Sequence, residues 1–436
     1  MIDPPSYMID PPSYARPRQN RVPPCCLSLM LMLFFVLLFG LPHDLLTMAE
    51  QATGQSICGP LPWRMDAIRA TGYSYDGVSS GIWNLAWTAD ALRPHCPSLG
   101  QAMVLVRSSS VNPVDWVEGA YQSALDPQIG LDIAGTVVAV GLGCDLTIGD
   151  QVYGDTVTAS GGTSFKNSYQ QLALVYCDRV GRRPPDSPVS LADHGAIAAC
   201  AGTAYEAMQQ LGAPWGPEQN MTVVVVAGAG GVGHFAVQIA RALGAARVVA
   251  AASSDHHAML HALGASLVVD YHAGSLWDAL PERSVDAVFD NLGEPGAWRR
   301  ALRALKDDST YVEMMTYHAY YRSLWYDDDA PRTTPSSPAT AGSATGRDVN
   351  FGFYYGWLSS RRTIDRVTEL ISKGKLRPVI QRRYPLTDVA LAFTESAGGH
   401  VGGKLLIDVP YPAGVECGGP FPAEDGSEPL LEAVEC

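Results

Sequence analysis

The chain has 436 residues, with 30 basic and 44 acidic side chains and a formal net charge of −14. Apolar residues make up 47% and charged residues 17%, which excludes wholesale disorder, and an acidic chain is a poor general binder of nucleic acid. This length suggests two or three domains, and 43 glycines with 31 prolines favour an α/β or β-rich enzyme over a helical bundle.

The N-terminal extension, residues 1–63, contains an apolar segment. A perfect repeat of MIDPPSY occupies residues 1–14, and the segment 25–41 is a run of 17 uncharged residues preceded by arginines. Such a run is marginal for a membrane span and slightly long for the core of a signal peptide. Three interpretations stay open: a signal or anchor, a gene-model artefact with translation from Met48, or a buried helix.

The nine cysteines include no C-x-x-C pair. Their odd number and irregular spacing indicate neither a disulfide framework nor a zinc site built from cysteines. We therefore expect reduced, mostly structural thiols in a reducing compartment.

Residues 64–190 have the pattern of short strands separated by glycine turns. Strands are predicted at 103–111 and 132–141, with another entered at 149–154. From about residue 191 strands alternate with amphipathic helices, which is typical of βαβ units with a parallel sheet. The predicted strands of this second region are 222–228, 246–253, 266–271 and 285–293.

The C-terminal third contains two segments without core-forming composition. Residues 327–348 combine three consecutive aspartates with a loop rich in Pro, Ser, Thr and Gly, and we interpret them as a mobile insertion. A helix is predicted at 364–376 and a closing strand at 402–409. Residues 410–436 have six acids and no Lys or Arg, which predicts a solvated acidic tail.

A glycine motif carries the strongest chemical signal. The strand 222–228 leads directly into Gly-Ala-Gly-Gly-Val-Gly and then into a helix, which is the context that a dinucleotide-binding turn requires. Glycines there permit the tight turn, the approach of a pyrophosphate and close helix packing, and the helix N-terminus attracts phosphate. The cofactor-binding residues predicted from this motif are Gly228, Gly230, Gly231, Val232 and Gly233.

The end of the second strand of this unit predicts NADPH rather than NADH. An acidic residue there would bond the ribose 2′-hydroxyl and repel a 2′-phosphate, but this chain has Ser253 and Ser254. The hydroxyls tolerate a phosphate, and His257 could add a charge-assisted contact, although His256 and His257 also fit the solvated start of a helix.

Several motifs taken in order resemble the medium-chain dehydrogenase/reductase superfamily, in its zinc-independent quinone-oxidoreductase and enoyl-reductase branch. They are SVNPVDW at 110–116, GLDIAGTVVAVG at 130–141, GDQVYG, the glycine motif and GKLLIDV. The resemblance covers residues 64–409 and implies an α/β fold: a GroES-like β-rich catalytic domain at 64–190, a Rossmann domain at 191–350, and a return to the catalytic domain at 351–409.

The resemblance also argues against zinc. Zinc members carry a cysteine in the segment corresponding to NPVDW and a histidine where this chain has Leu131. Without these ligands a three-ligand site with one open position cannot form, so no metal site is expected. Hydride transfer to a conjugated acceptor is then the expected reaction, since the acceptor itself delocalises the developing charge.

The resemblance implies roles for further residues. Asn112 should face the nicotinamide or the substrate carbonyl, and Asp115 should brace its loop or serve as a turn residue. The remaining expected cofactor contacts are Thr203, Tyr271, Asn291, Gly293 and Lys404. Related enzymes have a tyrosine where this chain has Val117, which leaves Tyr121, Tyr153 or water as proton sources. The aromatic run 351–357 could line the acceptor pocket or belong to the core.

The predicted function is therefore an NADPH-dependent reductase of a quinone or an α,β-unsaturated carbonyl. A catalytically silent dinucleotide-binding scaffold or redox sensor is the alternative, and a zinc alcohol dehydrogenase is disfavoured. The expected partner is a small-molecule acceptor, with a homodimer left open, no nucleic acid, and membrane contact only through 25–41. We expect a cytoplasmic or mitochondrial protein, anchored to a membrane if that segment is retained.

Overall fold

The computed structural model describes residues 64–74, 82–92, 94, 96–117, 129–157, 168–293, 297–314, 349–354, 360–413 and 415. The predicted N-terminal extension, the insertion 327–348 and nearly all of the tail beyond residue 413 lie outside this part of the chain. Among the described helices none is long and apolar enough to cross a membrane. The prediction for segment 25–41 therefore stays untested.

A seven-stranded sheet collects strands from both ends of the chain. Its order is β14–β15–β3–β4–β5–β7, and β6 pairs with β3 beside β15. These strands are β3 (Gln101–Ser110), β4 (Asp132–Val140), β5 (Gln151–Asp155), β6 (Leu172–Tyr176), β7 (Val180–Arg182), β14 (Ile380–Pro385) and β15 (Lys404–Asp408). Because β15 pairs with β3, the C-terminal segment returns to the sheet of the N-terminal half. A separate hairpin is formed by β1 (Arg64–Ser74) and β2 (Ile82–Leu92).

A six-stranded parallel sheet occupies the middle of the chain. Its order is β10–β9–β8–β11–β12–β13, so the order reverses between β8 and β11. The strands are β8 (Thr222–Val226), β9 (Arg247–Ala251), β10 (Leu267–Val269), β11 (Val285–Asp290), β12 (Leu305–Met314) and β13 (Asn350–Tyr354). This is the doubly wound order of dinucleotide-binding sheets, in which ligands lie at the carboxyl ends of the strands beside the reversal.

Eight described α-helices connect and cover the sheets. They are α1 (Pro113–Val117), α2 (Leu191–His194), α3 (Ala198–Gln210), α4 (Gly233–Ala242), α5 (His257–Ala262), α6 (Ala297–Ala301), α7 (Arg361–Ser372) and α8 (Val389–Ala397). The largest apolar core joins α3, α4 and α7 to one face of the parallel sheet, where Phe235 and Phe289 are completely buried. Phe235 and Ile239, which are four residues apart, both lie buried on α4, one of the amphipathic helices predicted after residue 191.

The predicted strands are observed with ends shifted by a few residues, but one predicted domain boundary divides a strand. The segment Asn350–Tyr354 pairs in parallel with β12 as the sixth strand of the middle sheet. The boundary at 350/351 is therefore wrong, because the aromatic run begins within a sheet strand rather than after it. The other domain boundaries stay predictions.

The expectation that the cysteines are reduced is wrong for Cys96, Cys144 and Cys177, each of which is in a disulfide. Cys144 and Cys177 form a disulfide with Cα atoms 5.6 Å apart, although 33 residues separate them in the chain. The turns after β4 and β6 meet at Gly100, whose N–H donates to Leu142 and whose carbonyl accepts from the Cys177 N–H. Pairing of both strands with β3 creates this proximity, which residue spacing does not reveal.

Candidate functional site

The glycine loop, Gly228–Gly233, links β8 to α4 at the reversal of strand order. At Gly233 a Cβ atom would lie 2.1 Å from the Ala227 carbonyl oxygen, and at Gly228 one would lie 2.7 Å from the Ala250 Cβ. Both contacts are too short for any side chain. At Gly230 a Cβ would make only an ordinary van der Waals contact, 3.5 Å from the Ala227 oxygen, so this position is much less crowded. The loop thus combines two close-packed glycines with one accessible backbone position, as a phosphate cradle requires.

Helix α4 places its N-terminus at this cradle. The helix starts at Gly233, no side chain caps it at Val232, and the His234 N–H donates to the Gly230 carbonyl. His234 is completely buried; its Nδ1 lies 3.0 Å from the Gly230 oxygen, and its Nε2 accepts from the Val379 N–H. Burial lowers the pKa of His234 to about 4, so the ring is neutral and fixes the loop without adding charge.

The residues predicted to contact the ribose and its phosphate follow β9 and β10. Ser253 is half-buried without a capping bond, and Ser254 is exposed at the start of a 3-10 turn. His257 is half-buried, with its Nε2 3.4 Å from the Ala252 carbonyl oxygen. Tyr271 is 48% exposed and lies against His272. These side chains line the carboxyl edge of β9 and β10, and their contact with a cofactor stays a prediction.

A turn after β11 holds Asn291 and Gly293 at the same edge of the sheet. The Asp290 carboxylate accepts from the N–H groups of Leu292 and Gly293 and from the Tyr311 hydroxyl, which fixes the turn. The Asn291 Nδ2 is buried and has no hydrogen-bond partner within the described residues. A buried amide donor left unpaired costs about 1–3 kcal/mol, so this nitrogen is suited to a ligand that accepts a hydrogen bond.

A polar cluster lies directly beside the glycine loop. We define the Lys404 cluster as Asn112, Asp132, Cys200 and Lys404, which are all at least nine-tenths buried. The Lys404 Nζ donates to the Asn112 Oδ1 at 2.6 Å and to the Val111 carbonyl at 3.1 Å. It also lies 3.4 Å from an Asp132 carboxylate oxygen and 3.4 Å from the Cys200 sulfur.

Asp132 joins this cluster to helix α3. One carboxylate oxygen accepts from the Ala199 N–H in the first turn of α3, at 2.8 Å. The other accepts from Ser110 Oγ at 2.7 Å and from Asn112 Nδ2 at 2.8 Å, besides Lys404. Asp132 thereby ties together Asn112, Lys404 and the first turn of α3.

The cluster touches the glycine loop through β15 and α3. A Cβ at Gly231 would lie 3.2 Å from the Cys200 sulfur and 3.4 Å from the Lys404 Cδ, and the Gly403 N–H donates to the Ala229 carbonyl. Burial alone would lower the pKa of Lys404, but Cys200, Asp132 and Asp115 outweigh it and hold the pKa above its ordinary value. Burial raises the pKa of Cys200, and the charge of the neighbouring Lys404 opposes this rise.

Asp115 supports the Asn112 loop from α1. One of its carboxylate oxygens accepts from the Asn112 N–H at 2.7 Å and from the Tyr169 hydroxyl at 2.9 Å. The other oxygen is buried without a partner in the described part of the chain. Burial raises the pKa of Asp115 to about 7, against the opposing effect of these two hydrogen bonds. The bracing role is thus present in the structure, while a direct role stays a prediction.

The structure separates Tyr153 from this cluster. Its ring is completely buried against His194, and its hydroxyl is 2.6 Å from the Thr368 hydroxyl of helix α7. Burial also raises the pKa of Tyr153 far above the ordinary value, which disfavours proton release. The described contacts of Tyr153 are thus with His194 and helix α7, and its role as a proton source stays a prediction. Tyr121 lies outside the described residues, and Thr203 lies buried on α3, three residues after Cys200.

The residues at the expected zinc position do not fit a metal ion. Leu131 is 1% exposed and packs in an apolar cluster with Val157, Ala199 and Val114. Asp132 and Cys200 are ligand types, but the Lys404 ammonium lies 3.4 Å from each and would repel a cation. Within the described residues no three His, Cys, Asp or Glu side chains are grouped as metal ligands.

Sequence reasoning missed three members of this site. Asp132, Cys200 and Tyr169 were not singled out, although each bonds to a predicted residue. Asp132 offered a signal, because an acidic residue at the start of the otherwise apolar strand 132–140 needs buried partners. Cys200 and Tyr169 offered none, since only the fold brings them to Asn112 and Asp115.

The comparisons with known proteins agree with this architecture. Residues 98–204 match the family model of the alcohol dehydrogenase GroES-like domain, and residues 263–407 match that of the zinc-binding dehydrogenases. The human mitochondrial NAD(P)H oxidoreductase RTN4IP1 is 27% identical over 355 residues, covering 74% of this chain and 86% of the relative. The 2-methylene-furan-3-one reductase of Solanum lycopersicum is 27% identical, covering 70% of this chain and 71% of the relative.

Solved structures show the same fold. The quinone oxidoreductase of Coxiella burnetii has a TM-score of 0.62 at 24% identity, and it covers 80% of this chain and 100% of its own. The Escherichia coli quinone oxidoreductase complexed with NADPH has a TM-score of 0.61 at 20% identity, covering 79% of this chain and 99% of its own. The GroES-like and Rossmann fold predicted from the sequence is therefore confirmed.

These findings together give the class and then the family. The parallel sheet with its phosphate cradle, joined to a GroES-like sheet, is that of a nicotinamide-dependent oxidoreductase. The chain belongs to the medium-chain dehydrogenase/reductase superfamily, in its quinone-oxidoreductase branch, as the sequence motifs predicted.

Proposed function

We propose that the chain is a reductase that uses NADPH to transfer a hydride to a quinone or an α,β-unsaturated carbonyl, without a metal. The observation that carries this proposal is the direct contact between the glycine loop and the Lys404 cluster at Gly231. Through this contact the phosphate cradle lies next to the cluster that contains the Asn112 amide, a group able to bind a carbonyl oxygen. The bound cofactor supplies the hydride, and the chain supplies position and electrostatics.

The choice of NADPH rests on the end of β9. The residues that follow the strand are Ala252, Ser253 and Ser254, and the first acid, Asp255, is exposed on the 3-10 turn. Two hydroxyls and the nearby His257 can accept a 2′-phosphate, whereas a carboxylate at the strand end would repel it.

The choice of acceptor rests on the charge that hydride transfer creates. The Lys404 ammonium lies 3.4 Å from both Asp132 and Cys200 and would repel a metal cation there. A simple carbonyl would therefore have no metal ion to polarise it. A quinone or an enone spreads the new negative charge over its own conjugated system, and one amide donor at its oxygen then suffices. Two relatives carry matching names, the reductase of Solanum lycopersicum and the Arabidopsis thaliana NADPH-dependent alkenal/one oxidoreductase.

The proposed location is the mitochondrion or the cytosol, where NADPH is available to a reductase. The name of the human relative, which is called mitochondrial, supports the former. The partner is a small-molecule acceptor, with a homodimer left as the candidate assembly.

The test is turnover by the purified full-length chain. NADPH oxidation is followed at its absorbance band with 9,10-phenanthrenequinone, with 2-cyclohexenone, and with cyclohexanone as the saturated control. We expect turnover of the conjugated acceptors, none of cyclohexanone, weaker use of NADH, and no change after exhaustive chelation. Tight NADPH binding without turnover of either conjugated acceptor would instead identify a silent dinucleotide-binding scaffold. Metal-dependent oxidation of a primary alcohol would identify a zinc dehydrogenase.

A further inference from the structure

The hydrogen bonds of the Lys404 cluster fix the orientation of the Asn112 amide. Its oxygen receives the Lys404 ammonium at 2.6 Å and the Cys200 thiol at 3.5 Å, and both of these groups are donors. Its nitrogen lies 2.8 Å from an Asp132 carboxylate oxygen, which can only accept. In the reverse orientation the NH2 group would face two donors, Lys404 and Cys200, and the amide oxygen would face the Asp132 carboxylate oxygen. Only the first orientation therefore satisfies the hydrogen bonds.

This orientation leaves the amide with a single unused polar function. The oxygen has two donors, one Nδ2 hydrogen is used by Asp132, and the second has no partner in the described part of the chain. Within the Lys404 cluster, Asn112 can therefore donate one further hydrogen bond and has little remaining capacity to accept one.

We propose that Lys404 is a positioning residue that holds the Asn112 amide as a hydrogen-bond donor toward the carbonyl oxygen of the acceptor. This inference rests on the proposed function and adds a selectivity to it: an acceptor that presents an oxygen is recognised there, and a ligand that presents only a donor is not. Lys404 is placed for this by β15, whose preceding residue Gly403 bonds to Ala229 in the glycine loop. Strand β15 thereby fixes the position of the Asn112 amide relative to the glycine loop.

The orientation itself is measurable without turnover. We would label the full-length chain with [15N]asparagine, which marks seven residues, and assign the Asn112 side-chain signal with Asn112→Ala. The hydrogen bonded to Asp132 should resonate well downfield of its partner, unlike the pair of the exposed Asn220. In Lys404→Met this separation should shrink to that of Asn220, while Lys375→Met, at an exposed lysine, should leave it unchanged. An unchanged Asn112 pair in a folded Lys404→Met chain would overturn the proposal.

A kinetic cycle separates positioning from a purely structural role. Because Lys404→Met leaves Asp132 as a lone buried charge, the cycle uses the charge-neutral pair Lys404→Met with Asp132→Asn. We expect Asn112→Ala to lower kcat for 2-cyclohexenone about 100-fold, as for other single donors to a developing oxyanion. The charge-neutral pair should lower kcat at least about tenfold with the NADPH Kd changed less than about threefold, and adding Asn112→Ala to it should cost little more.

The two proposals fail in different ways. Additive losses in the cycle, or an unchanged kcat in the charge-neutral pair, would refute the positioning role while leaving the reductase intact. Absence of turnover by the wild-type chain would refute the proposed function, and the asparagine spectrum would still decide whether Lys404 orients the amide. If the charge-neutral pair fails to fold, the asparagine spectrum of Lys404→Met decides. If Lys404→Met fails to fold, the kinetic cycle with the charge-neutral pair decides.

Discussion

The glycine loop and the Lys404 cluster touch at Gly231, yet they are built on opposite principles. The loop is six consecutive residues whose function depends on backbone shape and on the absence of side chains. The cluster takes four side chains from segments 20 to 292 residues apart in the chain, and it depends on charge and hydrogen bonding. The loop is sensitive to atoms added at Gly228 and Gly233, whereas the cluster is sensitive to the loss of a buried charge.

The largest expected effect is on the cluster. Lys404→Met leaves the Asp132 carboxylate buried beside neutral groups, and breaking a buried pair from one side costs about 3–5 kcal/mol of unfolding free energy. Chemical denaturation of the full-length chain measures it, with Lys375→Met as the matched control on an exposed lysine. If Lys404→Met lowers the free energy of unfolding by less than about 1 kcal/mol, the Lys404–Asp132 pair is not needed for stability. The cluster would then not differ from the glycine loop in its dependence on charge.

The next effect is on the loop. Gly233→Ala places a Cβ 2.1 Å from the Ala227 oxygen, and because this atom and its next neighbours in Gly228 are all backbone, an easy adjustment is prevented. We expect about 1–3 kcal/mol of destabilisation together with loss of NADPH binding by calorimetry. Gly274→Ala is the control, because a Cβ there meets nothing within 4 Å. Normal binding by Gly233→Ala would mean that the loop is not the phosphate cradle.

A smaller effect sharpens the contrast within the loop. At Gly230 a Cβ makes only an ordinary contact of 3.5 Å, so Gly230→Ala should change the unfolding free energy by less than about 0.5 kcal/mol. The same methyl group would enter the space left for the pyrophosphate, and we expect NADPH to bind about tenfold more weakly, or about 1.4 kcal/mol. Unchanged affinity in this variant would contradict the proposed path of the dinucleotide.

The smallest effect is on the pH dependence of stability, where His234 at the glycine loop and Asp115, which supports Asn112 of the cluster, have opposite signs. His234 has a pKa lowered to about 4, so its contribution is present above its unfolded value of 6.5 and is lost as pH falls toward 4. Asp115 has a pKa raised from 3.8 to about 7, so its contribution is present at low pH and is lost as pH rises through that range. Between pH 4 and 6.5 the two slopes partly cancel.

Two variants separate the two contributions to the pH dependence of the free energy of unfolding. His234→Gln should make the free energy of unfolding fall more steeply from pH 4 to 7 than in the wild type, and Asp115→Asn should make it rise relative to the wild type. Other shifted groups, such as His194 and Glu313, are common to all three proteins and drop out of the differences. Parallel curves for the three proteins would show that neither side chain is held in the stated protonation form.

The same contrast explains what the sequence could predict. The strand, glycines and helix of 222–243 are contiguous, so composition and periodicity located them. The runs of β3 and β4 were recognisable from their β-branched residues, and β15 was predicted as a closing strand. Asn112 and Lys404 were predicted only through the family resemblance, and their mutual contact was not. Asp132 and Cys200 join them because β3 pairs with both β4 and β15 and because α3 bonds to Asp132, and such long-range pairings leave no local trace.

Two features that the sequence did not predict have the same origin. Tyr153 belongs to the GDQVYG motif, but it lies in the buried part of β5, and the packing of α7 places its hydroxyl against Thr368. The pairing of Cys144 with Cys177 depends on two strands that flank β3, and their spacing in the chain carries no information about it. In both cases tertiary packing decides what a side chain meets.

The most direct test of the account is a stopped-flow experiment on the full-length chain and Asn112→Ala. Each protein is loaded with NADPH and mixed with 2-cyclohexenone, and the fluorescence of the reduced nicotinamide reports binding and then hydride transfer. The account predicts the same NADPH affinity for both proteins and a hydride-transfer rate about 100-fold slower in the variant. Equal transfer rates in the two proteins would contradict it, because the cluster beside the glycine loop would then take no part in the reaction.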